Sequence, residues 1–258
     1  EKLVNEIMLC YKRFQLLKNA GEIKQYTKPG TTGNGKGKNP VDMSLNENVC
    51  ATFSKYTWNP PVKTECYSDF MNHNGRASEL NKLVCIPTKH IFPPFLLLLI
   101  EQHPAITPSW LLDWQLFDKN GRLYGFKKAK DNWVAVSNKS RRGVQKAQQT
   151  IVLNETSKNL IDQIILLTEP ARNYLKSQGN DDYRSMLITA NNCSSQPKKF
   201  SKLPSLLLSN NQRITRRLLK QSPFRTKEQA YSIVQSINYK SFRASCGVKV
   251  YLETKSVH

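Results

Sequence analysis

Between residues 115 and 153 the hydrophobic pattern of the chain changes period, and this restricts the fold more than any other feature of the sequence. The runs LFDKNGRLYGF and NWVAVSNKSRRGVQKAQQTIVL are of strand length, rich in β-branched and aromatic residues, and broken by Asn-Gly and Ser-Asn-Lys turn signals. On both sides, apolar residues recur at helical spacing instead. The expectation is a mainly α protein with a small antiparallel β-sheet of roughly three strands in its middle, an α+β fold.

The flanking helices can be placed from their stripes and caps. Residues 2–18 put Leu3, Ile7, Cys10, Phe14 and Leu17 on one face of an amphipathic helix. Short helices are expected over residues 64–72, ending near Gly75, and again from Arg76. The run PFLLLLI at 94–100 falls short of the ~20 apolar residues a membrane span needs and reads as a buried helix. Thr107 and Pro108 have the character of an N-cap and a first helical residue. Residues 154–168 carry the stripe Leu160, Ile161, Ile164, Ile165 and Leu167, with Pro170 opening a separate helix. Residues 191–204 read as a polar loop, and most of the remainder as helix.

The run KPGTTGNGKGKNP at 28–40 cannot bury enough apolar surface to order itself, and reads as a linker or mobile loop. Gly30, Gly35 and Lys36 match part of a phosphate-binding loop, but Gly37 stands where the magnesium-binding hydroxyl belongs and no strand leads in. The expected organisation is therefore residues 1–60 as an N-terminal helix with a Gly/Lys-rich linker, and residues 61–258 as the main domain.

Charge narrows the partner. Lys and Arg total 39 against 19 acidic residues, a formal charge of +20. Such an excess repels itself unless a polyanion compensates it, and nucleic acid is the leading candidate. The six cysteines form no CxxC pair and no disulfide framework, which fits a reducing cytosol. Cys66, His73, Cys85 and His90 do not have zinc-site spacing, so no metal and no cofactor are expected. The chain opens on Glu1 instead of Met, so its natural amino terminus is expected to lie upstream.

No H-E-x-x-H, G-x-S-x-G or paired acidic cluster is present. Chemistry on a phosphodiester would then fall to arginine and lysine, whose cations can neutralise a phosphorane directly. Arg76 follows Gly75 at a helix start, with Glu79 three residues on to cap the turn or brace the guanidinium. Arg243 lies in YKSFRASCGV with Lys240 one helical turn earlier. Two arginines in such contexts suit a clamp on one phosphate.

These residues carry a resemblance. GRASEL at 75–80 is similar to the first arginine box of the tyrosine recombinases, or phage-type integrases, in which an arginine preceded by glycine is followed by x-S-E-L. KSFRAS at 240–245 resembles their second box, H-x-x-R followed by small residues, with Lys240 where histidine is usual. Between the two the family has a β-hairpin bearing a catalytic lysine, which NKSRRGVQKAQQTIVL would supply as Lys139 or Lys146. The resemblance covers roughly residues 60–258 and rests on the order of the three elements more than on any one motif.

What the resemblance implies is a tyrosine-recombinase-like catalytic domain acting on double-stranded DNA, in integration or the movement of a mobile element. Arg76 and Arg243 would bind the scissile phosphate, Lys139 or Lys146 would protonate the leaving 5′-oxygen, Lys240 would assist proton traffic, and Glu79 would support Arg76. A tetrameric synapse on DNA and a cytoplasmic, nucleoid-associated location go with this reading. Residues 84–120 resemble an insertion. The nucleophilic tyrosine is expected beyond His258, so the fragment alone would be inactive. Tyr251 lies too close to Arg243 on one helix to fill that role. The alternatives are a non-catalytic DNA-binding protein on a degenerate recombinase scaffold, and a basic RNA-binding protein.

Overall fold

The computed structural model describes residues 1–26, 41–59, 63–74, 77–138, 148–206 and 226–255. The Gly/Lys-rich run at 28–40 lies outside them, as do Arg76, Lys139, Lys146 and the expected helix QRITRRLLKQ. The helices are α1 (Lys2–Ala20), α2 (Asn46–Tyr56), α3 (Lys63–Asn74), α4 (Ala77–Leu83), α5 (Phe92–Gln102), α6 (Pro108–Leu112), α7 (Glu155–Ser177), α8 (Lys227–Ser236) and α9 (Tyr239–Thr254). Strands β1 (Phe126–Ala129), β2 (Asn132–Asn138) and β3 (Gln148–Val152) form an antiparallel sheet in that order, and β4 (Ile188–Thr189) pairs with β5 (Lys198–Lys199). The fold is mainly helical with a small antiparallel sheet, as the change of period implies. Two compact units divide it, residues 1–91 with 161–200, and residues 92–160 with 201–258.

In the first unit α1 packs on α2 and α4, which joins sequence on both sides of residue 60 in one core. That core centres on Val49, Cys50, Phe53, Cys66, Phe70 and Leu80, with Trp58 against Tyr174 at its edge. The buried stripe of α1 differs from the expected one. Val4 and Phe14 are buried, Ile7, Tyr11 and Leu17 are half-buried, and Leu3 and Cys10 face outward. Tyr11 supplies an apolar ring that a polar label conceals, and it moves the stripe round the helix.

Beyond α1 the backbone passes so close to α2 that a Cβ on Gly21 would lie 2.0 Å from the carbonyl oxygen of Glu47. The following segment is laced to its neighbours. The Glu22 N–H donates to Asn48 Oδ1 at 2.7 Å, and the Lys24 N–H to Thr52 Oγ1 at 2.9 Å. Lys24 Nζ and the Tyr26 hydroxyl both meet Asp69 Oδ2, at 2.6 and 2.8 Å.

Pro170 does not start a helix; α7 runs through it without interruption. Ile161, Ile164, Leu167, Ala171 and Leu175 are buried at helical spacing on either side of it, while Pro170 itself is exposed. Packing of that stripe outweighs the ~3 kcal/mol that an internal proline costs. Arg172 on the same helix is buried and donates to the carbonyls of Tyr183, Ser185 and Met186 and to Thr168 Oγ1. Burial lowers its pKa to about 10. The polar loop at 191–204 also contains β5, whose two residues are too few to leave a periodic trace.

The second unit holds the apolar run. It forms α5, which buries Phe92, Phe95, Leu96, Leu99 and Ile100 and places its prolines in the first turn, where missing N–H groups are not needed. Thr107 caps α6 by accepting the Trp110 N–H at 3.2 Å, as expected. Trp110 Nε1 donates to Gln149 O and Ser137 Oγ donates to Trp110 O, which bind α6 to β3 and β2, while Trp114 Nε1, just past α6, donates to Gly125 O, just before β1. No helix among the described residues is long and apolar enough to cross a membrane.

Candidate functional site

The K-x-x-R segment opens α9. Asn238 Oδ1 accepts the N–H groups of Lys240 and Ser241 at 2.9 and 3.0 Å, while Ser241 Oγ accepts the Asn238 N–H at 3.0 Å. This reciprocal cap fixes where the helix begins and therefore which residues face inward. Tyr239 and Cys246 are buried, Arg243 and Gly247 half-buried, and Lys240 exposed. The inner face packs on α5.

Arg243 is held by one edge. Its Nε–H donates to the carbonyl oxygen of Pro104 at 2.7 Å, in the turn that follows α5. The bond is charge-assisted and fixes the plane of the guanidinium. Among the described residues the two Nη groups have no partner, so the forked edge that matches an oxyanion is left open. It borders a groove of about 590 Å³ lined by Gln102, His103, Pro104, Ile151, Gly247 and Tyr251 among others. Tyr251 is half-exposed and stands eight residues, ~12 Å of helix, beyond Arg243.

Sequence reasoning passed over His103. Its Nε2 lies 2.8 Å from Ser157 Oγ, and Ser157 is fully buried at the first turn of α7. Asn154 caps that turn, accepting the Ser157 N–H at 2.8 Å, and its own Nδ2 donates to Gln102 Oε1 at 2.7 Å. Burial lowers the His103 pKa below the usual imidazole value, which favours the neutral ring. No local signal marks this residue, because its partner is 54 positions away.

Of the residues singled out in the sequence, Arg243 and Lys240 both stand on α9, one anchored at the groove and the other in solvent. Glu79 is exposed on α4. Arg76, Lys139 and Lys146 lie outside the described residues; the two lysines fall in sequence between β2 and β3, whose ends pair as Asn138 with Gln148. Among the described residues no group of three His, Cys, Asp or Glu side chains could hold a metal ion. No protein-family model, curated protein or solved structure matches the chain.

Proposed function

We propose that the protein is a DNA breaking-rejoining enzyme of the tyrosine-recombinase type, acting by transesterification through a 3′-phosphotyrosyl link. The observation that carries the reading is Arg243, anchored through Nε with its oxyanion-matching edge open to a groove. The order of GRASEL, a lysine-bearing hairpin segment and KSFRAS supports it, as does a charge of +20 that suits a DNA partner. Arg243 and Arg76 neutralise the scissile phosphate in its pentavalent transition state. Lys139 or Lys146 protonates the departing 5′-oxygen, Glu79 braces Arg76, and Lys240 assists proton traffic at the nucleophile. The attacking group is a tyrosine hydroxyl.

The test uses protein from the complete reading frame and a nicked suicide DNA substrate. A covalent protein–DNA adduct, lost in Arg243→Ala, is the expected result. DNA binding without an adduct would favour the non-catalytic scaffold, and preference for RNA over duplex DNA would overturn both.

A further inference from the structure

The hydrogen bonds around Ser157 determine the tautomer of His103. Ser157 Oγ lies 2.8 Å from Asn154 Oδ1 and 3.0 Å from Asn154 O, and both of those oxygens can only accept. The Ser157 backbone N–H, which can only donate, meets the same Asn154 side-chain atom at 2.8 Å, so Oδ1 is the atom facing the serine. The single hydroxyl proton of Ser157 therefore points at Asn154. Its remaining contact, 2.8 Å from His103 Nε2, is one in which the imidazole donates and the serine oxygen accepts. His103 is thus held as the Nε2–H tautomer, and its Nδ1 keeps a lone pair with no partner among the described residues.

This ring sits beside the anchored arginine. Pro104, whose carbonyl holds Arg243, is the next residue in the chain, and both side chains line the same groove. The other titratable side chain of that lining is Tyr251. We infer that His103 is the general base of the groove, its Nδ1 taking the proton of the hydroxyl that attacks the phosphate bound at Arg243. The inference rests on the DNA-cleavage reading above and changes one part of it. Lys240, exposed and bearing an ammonium that offers donors only, suits a phosphate contact better than the acceptance of a proton.

In the forward step the tyrosine O–H passes its proton to Nδ1 as its oxygen bonds to phosphorus. The bond from phosphorus to the 5′-oxygen breaks, and that oxygen takes a proton from the hairpin lysine. In the rejoining step the 5′-hydroxyl attacks, the tyrosine oxygen leaves, and the imidazolium returns the proton to it. Ser157 and Asn154 act as positioning residues, keeping the ring in the tautomer that can accept.

His103→Gln tests this with the complete protein, because a glutamine amide can still donate to Ser157 but offers no base. The rate of adduct formation should fall roughly 10²- to 10⁴-fold, and the acid limb of the pH–rate profile should disappear while duplex DNA still binds. A rate within about threefold of the parent, with the acid limb intact, would overturn the assignment. Arg243→Ala separates the two readings. If the parent forms no adduct, the cleavage reading fails; if the parent adduct forms and is lost in Arg243→Ala while His103→Gln reacts normally, only the general base fails. A readout independent of activity is ¹⁵N-histidine NMR of the complete protein, with His103 assigned through the His103→Gln spectrum. A neutral ring protonated on Nε2 near pH 7 is expected, and a ring protonated on Nδ1 would sink the proposal whether or not an adduct forms.

Discussion

Arg243 Nε and the carbonyl oxygen of Pro104 are 2.7 Å apart although 139 positions separate them in sequence. This bond distinguishes an oriented guanidinium from a mobile surface cation. Arg243→Lys keeps the charge and loses the second attachment. Its affinity for duplex DNA should stay near that of the parent while adduct formation falls about 10²- to 10³-fold, the loss typical of one removed transition-state donor. Arg243→Ala should also flatten the plot of log affinity against log salt by about 0.9, one phosphate contact, as titrations at several salt concentrations can measure.

Gly21 is required by contact, not by backbone angle. A methyl group there meets the Glu47 carbonyl at 2.0 Å, and backbone cannot swing aside as a side chain does. Gly21→Ala should destabilise the protein by about 1–3 kcal/mol, read from the urea midpoint, although alanine is the better helix former.

Arg172 ties α7 to the stretch that leads into β4. Arg172→Leu keeps much of the volume but removes the donors that satisfy the carbonyls of Tyr183, Ser185 and Met186. Each buried acceptor left unpaired costs roughly 1–3 kcal/mol, so a loss of at least about 2 kcal/mol is expected in denaturant unfolding. A loss below about 1 kcal/mol would show that the clamp is dispensable.

Stability should depend on pH through His103. Its folded pKa is depressed by burial, so just below the usual imidazole value the unfolded chain binds a proton that the folded one refuses. Stability therefore rises with pH through that window and falls on acidification. Urea midpoints at pH 5.5 and 7.5 should differ less in His103→Gln than in the parent.

Much of the fold was legible because its signals are local. The change from helical to strand period, the Asn120–Gly121 turn and the Thr107–Pro108 start each lie within a few residues and are seen in the structure, whereas Ser137 and Asn138, read as part of a turn, belong to β2. The misreadings come from tertiary packing. Tyr11 buries a ring that its hydroxyl hides, Pro170 is carried by a stripe longer than the proline penalty can break, and β4 and β5 exist only as a pair. At the candidate site, K-x-x-R was readable. Its supports were not, because Pro104 and Ser157 reach Arg243 and His103 only once the chain has folded.

The reciprocal cap at Asn238 has a consequence for how α9 meets an anion. The N–H groups of Lys240 and Ser241, which at an open helix start would be free to cradle a phosphate, already donate to the Asn238 side chain. Attraction at this end is left to long side chains, whose hold weakens as counterions compete. An anion at the front of α9 would therefore be held by side chains alone, and rising ionic strength would release it.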